Sequence, residues 1–70
     1  MAPRERFFVC VFEQDRNEYR FHVRAWTAEE AEAHLRASLR EDGVRDPGSI
    51  VVRDERGAVL ASSPYRFDVP

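Results

Sequence analysis

The sequence of 70 residues contains one cysteine, Cys10, and no lysine. A single cysteine cannot form an internal disulfide, and no C-x-x-C or paired His/Cys spacing is present that would hold zinc. Chains this short bury only about 60% of their unfolded surface, so disulfides, metals or partner subunits commonly support them. The first two supports have no signal in this sequence, which leaves association with another chain.

Long apolar runs and a dominant charge are also missing. No stretch approaches the roughly 18 residues of a membrane span, residues 1–6 are polar, and the net charge is −2 with both signs spread along the chain. We therefore expect a cytoplasmic protein without the global field of a general nucleic-acid binder. The eleven basic residues are all arginine, which is typical of a GC-rich genome and suggests a bacterial source.

Four segments have the pattern of β-strands. Residues 6–13 are apolar on both alternating sets, which indicates a central strand, and residues 18–25 alternate strictly, which indicates a half-exposed strand. Residues 49–54 and 58–62 form a second pair, in which a turn ending at Gly57 sets Val52 opposite Leu60. Ser62, Ser63 and Pro64 break the last strand, so the tail 63–70 either adds an edge strand or lies unpaired.

A helix is predicted over residues 28–42. Thr27 and Glu30 match a capping box, in which each side chain bonds the other's backbone amide, and Gly43 followed by Val44 matches a Schellman ending. An apolar stripe at helical spacing faces the sheet. It consists of Ala28, Ala31, Leu35 and Leu39.

Together these elements predict a single α+β domain over residues 1–70. Two hairpins joined by one helix give a ββαββ order, with a four-stranded antiparallel sheet and the helix on one face. A right-handed crossover places the third strand beside the first, which gives the strand order 2-1-3-4.

An even-length turn in the first hairpin sets Phe12 opposite Tyr19 and Cys10 opposite Phe21, facing the helix. The opposite side of the sheet, here called the reverse face, then carries three apolar and three basic side chains. These are Phe7, Val9, Val11, Arg20, His22 and Arg24.

Three interpretations of the reverse face remain open. The tail could cover it with Tyr65, Phe67 and Val69. It could be a protein interface, most simply a homodimer in which two sheets face each other. It could also bind single-stranded nucleic acid, with Phe7 stacking on a base and the arginines meeting phosphates.

Catalysis has little support in the sequence. Cys10 would need His22 or His34 as a base, but the predicted register points Cys10 and His22 to opposite sides of the sheet. Acidic pairs such as Glu29 with Glu30 fit a first helical turn, and the glycines fit turns without forming a phosphate or dinucleotide motif. We therefore expect no catalytic, cofactor-binding or metal-binding residues, no small-molecule substrate and no membrane contact.

Residues 18–39 are similar in outline to the HicB-type antitoxins, in which a hairpin leads into a Thr-x-Glu-Glu-Ala helix start, here Thr27 to Ala31. The resemblance covers about a third of the chain, which lacks that family's Pro/Gly stretch before the helix. It implies a small inhibitor or antitoxin-like protein as one alternative.

The sequence thus predicts a non-enzymatic accessory or regulatory protein that binds another protein, or itself as a homodimer, through the reverse face. The alternative is a single-stranded nucleic-acid-binding module that uses Phe7, Arg20, His22 and Arg24.

Overall fold

A computed structural model of the chain describes residues 4–67. Its elements in chain order are β1 (Arg6–Gln14), β2 (Asn17–Ala25), α1 (Ala28–Glu41), β3 (Gly48–Arg53) and β4 (Val59–Tyr65). The strands form one antiparallel sheet in the order β2-β1-β3-β4, with α1 on one face. The predicted α+β class and strand order are therefore confirmed.

The register of the first hairpin is also as predicted. Phe12 pairs with Tyr19, and Cys10 pairs with Phe21. A two-residue turn closes the hairpin, in which Asp15 has a φ of 46°, a left-handed conformation that aspartate tolerates better than most residues. This even-length turn keeps the apolar set of β2 on the side of the helix.

Local hydrogen bonds define both ends of α1. The Thr27 hydroxyl accepts a bond from the Glu30 amide, and the Glu30 carboxylate lies 3.5 Å from Nε2 of His34. At the other end the Val44 amide donates to the Leu39 carbonyl, which with Gly43 at a φ of 77° completes the Schellman motif. The helix is 14 residues long and too polar to cross a membrane.

The second hairpin has the predicted turn but a different register. The Gly57 amide donates to the Asp54 carbonyl, and Gly57 has a φ of 90°. A further bulge on β4 then opposes Val52 to Ala61, so the predicted pairing of Val52 with Leu60 is wrong. The extra residue changes which β4 side chains share a face with β3.

Strand β4 continues through Pro64 to Tyr65, so the predicted break at residues 62–64 is wrong. Proline fits here because β4 is an edge strand with no neighbour on its outer side. Arg36 of α1 donates to the Pro64 carbonyl and to the Ser63 hydroxyl. These bonds from the helix hold the end of the strand against the sheet.

The hydrophobic core lies between α1 and the sheet. Tyr65 is fully buried in it, packs edge to face on Phe12, and donates from its hydroxyl to the Val44 carbonyl at 2.7 Å. The core cluster consists of Phe8, Cys10, Phe12, Ala25, Ala31, Leu35, Leu39, Ile50, Val52 and Tyr65.

Candidate functional site

The reverse face is assembled by the alternation of β1 and β2. Direct cross-strand pairs share one side of a sheet, and three such pairs make up the predicted surface. They are Phe7 with Arg24, Val9 with His22, and Val11 with Arg20.

Strand β3 adds side chains to this face that the sequence analysis did not include. Val51 pairs with Val11, and Arg53 pairs with Val9, so both lie on the reverse face. The predicted strand order and the alternation of β3 were enough to find them. Because Ile50 and Val52 are buried on the helix side, the alternate residues Val51 and Arg53 lie on the reverse face.

Phe7 is the exposed aromatic residue of this face. Its side chain is 47% exposed, and the Arg24 guanidinium lies 4.6 Å from the centre of its ring. Strand β3 pairs with β1 only from Val9 to Glu13, so it does not extend beside Phe7. The neighbouring cleft is lined by Asp54 and Glu55 of the β3–β4 turn, among other residues. Phe7 therefore combines apolar surface, an adjacent cation and an open flank.

The rest of the apolar set is less exposed than expected. Val11 is only 2% exposed and Val9 is half-buried, although α1 lies on the other side of the sheet. Both valines line a cleft with Arg20 and Arg53. Arginine can lay its apolar stem along such a surface while its charged end reaches water. Of the three apolar side chains of the reverse face on β1, only Phe7 is therefore strongly exposed.

Arg53 has an unusual hydrogen-bonding state. Its Nε atom is buried and has no hydrogen-bond partner within residues 4–67. By contrast, Arg20 is largely exposed and forms a loose ion pair with Glu18 at 3.8 Å. An exposed ion pair at this distance contributes little to stability. The Arg20 guanidinium is therefore held only weakly by Glu18.

Within the described residues, Tyr65 of the tail does not cover the reverse face as was considered. Tyr65 lies in the core on the opposite side, and Arg45 of the α1–β3 loop lies 5.6 Å from the ring centre of Phe67. Val69 lies outside the described residues.

The candidate catalytic groups are separated. Cys10 is fully buried, and its thiol lies 3.9 Å from the Ala31 carbonyl oxygen. Burial, with a smaller effect of the Glu32 charge, raises the pKa of the Cys10 thiol to about 11, whereas a nucleophilic thiol needs a lowered pKa. His34 lies on the surface beside Glu30. Residues 4–67 contain no cluster of three or more acidic, histidine or cysteine side chains suited to a metal ion.

A second exposed surface lies on the flank of β2. Tyr19 and Phe21 face the side of the helix, as predicted, but they remain 46% and 38% exposed. β2 is an edge strand, so part of its helix-side surface extends beyond the cover of α1. Sequence alternation gave the direction of these side chains but not the reach of the helix.

Comparison with protein-family models, with curated proteins and with solved structures gave no match to this chain.

Proposed function

We propose that this chain is a small non-enzymatic accessory or regulatory protein that acts as a homodimer and binds another protein through its reverse face. The observation that carries the proposal is Phe7, which is nearly half exposed on a sheet face with Arg24 over its ring. Aromatic and arginine side chains are the types enriched at the centres of protein interfaces.

The chemistry of the face specifies the partner surface. Arg20, Arg24 and Arg53 lie beside a small apolar strip made by Phe7 and Val9, which the carboxylates of the β3–β4 turn border at one end. A complementary partner presents carboxylates beside an apolar or aromatic side chain, because guanidinium groups bind carboxylates in a bidentate manner.

Site-specific photo-crosslinking tests this proposal. A photoreactive phenylalanine derivative replaces Phe7 in one variant and Ala37, on the exposed side of α1, in a control. In cells that carry the gene, we expect a discrete protein adduct from position 7 that is absent from position 37. A Val9→Asp substitution in the first variant should reduce the adduct, because it places a carboxylate in the apolar strip.

Three results would argue against the proposal. They are the absence of an adduct at position 7, the same adducts from both positions, and an adduct unchanged by Val9→Asp in a protein whose circular dichroism shows it folded. An adduct with twice the chain mass would identify a second copy as the occupant of the reverse face.

Single-stranded nucleic acid is the second candidate, because Arg20, His22, Arg24 and Arg53 all lie on this face. This candidate predicts that labelled single-stranded DNA or RNA shifts at low salt, and that the shift weakens as salt rises. The double variant Arg20→Glu/Arg24→Glu should lose it. The position of Arg24 over the Phe7 ring favours protein binding, since that ring is already occupied on one side.

A further inference from the structure

The outer edge of β2 is open along Asn17–Ala25. This strand pairs with β1 on one side and has no neighbour on the other within the described sheet. An open edge presents backbone donors and acceptors to another strand. On the reverse side this edge carries exposed charged and basic side chains of the kind that protects edges, but on the helix side it carries the exposed rings of Tyr19 and Phe21.

We propose that two copies of this chain pair antiparallel along β2, about a two-fold axis at Phe21, and join their sheets into one continuous sheet. The inference rests on the homodimer of the proposed function and specifies its contact. Unlike the face-to-face dimer considered from the sequence, this contact uses Arg24 of the reverse face and leaves Phe7 and Val9 of both copies uncovered on the same side of the joined sheet.

The charges of β2 favour this register. With Phe21 opposite Phe21 of the second copy, the full length of the strand overlaps, and Asn17 lies opposite Ala25. Glu18 then lies opposite Arg24 of the second copy, and the two-fold axis repeats this attractive pair. Opposite charges placed directly across a strand pair stabilise it.

The neighbouring registers are less favourable. An axis at Arg20 would set Arg20 opposite its own copy, and an axis at His22 would set Arg20 opposite Arg24 twice. Like charges directly opposite each other are destabilising. In the proposed register no arginine lies opposite another arginine. Arg20 lies opposite His22 of the second copy.

The backbone of β2 agrees with this arrangement. The two-residue turn makes Gln14 and Asn17 a hydrogen-bonded pair. Because such pairs alternate along an antiparallel ladder, the amide and carbonyl groups of Arg20 and His22 point away from β1. The proposed register sets Arg20 opposite His22 of the second copy, which completes a ladder of the same kind.

The apolar side of the edge is covered by the same contact. Phe21 meets Phe21 of the second copy at a closely spaced, non-hydrogen-bonded position, and Tyr19 meets Val23. Aromatic pairs and pairs of an aromatic with a β-branched residue are among the favourable cross-strand contacts. The contact therefore buries the two rings that α1 leaves exposed.

Charge exchange across the proposed contact provides the test. Sedimentation equilibrium of the wild-type chain should show a dimer. Glu18→Arg and Arg24→Glu should each raise the dissociation constant roughly tenfold or more, because two attractive pairs become repulsive. An equimolar mixture of the two single variants should form a heterodimer, and the double variant Glu18→Arg/Arg24→Glu should dimerise like the wild type.

Recovery on mixing cannot come from chains that fail to fold, so the test separates association from folding. The inference is overturned if the wild type is monomeric up to about 1 mM, if the single variants still form wild-type dimers, or if mixing restores nothing. It is also overturned if Phe7→Asp abolishes the dimer and Glu18→Arg does not, which would place the contact on the reverse face. Failure of partner binding would appear separately, as loss of the adduct at position 7.

Discussion

The bond network between α1 and β4 makes Ser63→Ala an informative substitution. The Ser63 hydroxyl donates to Oε1 of Glu32 and accepts a bond of 2.9 Å from Arg36. Arg36 also donates to Glu32 at 2.9 Å. Removing one hydroxyl therefore weakens the attachment of the strand to the helix without removing apolar volume from the core.

The expected cost follows from the exposure of the charged pair. Hydrogen bonds to charged groups contribute about 1.5–3 kcal/mol, whereas exposed ion pairs contribute about 0–1 kcal/mol. The side chains of Arg36 and Glu32 are 26% and 21% exposed. The bonds are therefore partly screened by water, and their contribution should lie between these two free energies. We expect Ser63→Ala to lower the free energy of unfolding by about 1–2 kcal/mol, and the melting temperature by roughly 4–16 °C for a domain of this size.

The same network predicts a dependence on pH. The hydrogen bonds from Ser63 and Arg36 hold the pKa of Glu32 below its ordinary value of 4.5, against a smaller opposing effect of burial. A carboxyl with a lowered pKa in the folded state stabilises the fold fully above 4.5, and this contribution is lost as the pH falls through the folded-state pKa. Ser63→Ala should therefore reduce the loss of stability that occurs as the pH falls through and below 4.5.

Thermal unfolding followed by circular dichroism measures both effects. Ser62→Ala is the matched control, because Ser62 is the exposed preceding residue of the same strand, and it should change stability by less than about 0.5 kcal/mol. Equal melting temperatures for the two variants, or an unchanged acid dependence in Ser63→Ala, would refute the reasoning.

Three further predictions concern the core. Cys10, with its pKa of about 11, should react with iodoacetamide only in denaturant, and mass spectrometry showing modification of the folded chain would contradict its burial. Gly48→Ala should lower the free energy of unfolding by about 1–3 kcal/mol, because the new Cβ would lie 2.5 Å from the Glu13 carbonyl oxygen. Urea unfolding measures this change, and a variant as stable as the wild type would show that the backbone at Glu13 moves aside at little cost. Tyr65→Phe should cost about 1 kcal/mol through loss of the bond to Val44, and an unchanged urea midpoint would argue against that bond.

The first hairpin and the helix could be predicted because their signals are local. Side-chain alternation and the turn length fix the partner of Phe12, and the cap of α1 depends on Thr27 and an amide three residues away. The Schellman ending at Gly43 is equally local. Each of these features follows from chemistry within a few residues.

The second hairpin was harder to predict because its end depends on distant contacts. Ser63 and Pro64 have low strand propensity, but Arg36 and Glu32 of α1 bind this segment across 27 to 31 residues of sequence. The bulge that displaces Leu60 also lacks a signal that distinguishes it from a regular pair. Tertiary bonds overrode local preference at the end of β4.

For the candidate site, alternation correctly grouped the side chains of β1 and β2 on one face. It could not give their exposure, which depends on how long side chains lie across the sheet. Val11 is as buried as the core residues Phe12 and Leu35, and Arg24 lies over the ring of Phe7. Sequence periodicity thus identifies which residues share a face of the sheet. How much of each side chain is exposed can be read only from the packed structure.

The exposed flank of β2 follows from the dimensions of the two layers. A helix is about 10 Å wide, whereas four strands spaced about 4.8 Å apart span more than the width of one helix. In this fold α1 contacts all four strands, yet Tyr19 and Phe21 on the edge strand β2 stay partly exposed. A chain of this length has no second helix in its described part to cover that flank, so a second copy is the simplest cover.

This geometry links stability to association. If pairing along β2 buries the two rings, the folded dimer gains free energy by mass action, and the melting temperature of the wild type should rise with protein concentration. Glu18→Arg should remove this rise without lowering the melting temperature at low concentration, because Glu18 is exposed and lies opposite Glu13 of β1. Calorimetry over a hundredfold range of concentration measures both. A melting temperature independent of concentration, in a range where sedimentation shows a dimer, would mean that the dimer contact does not stabilise the fold.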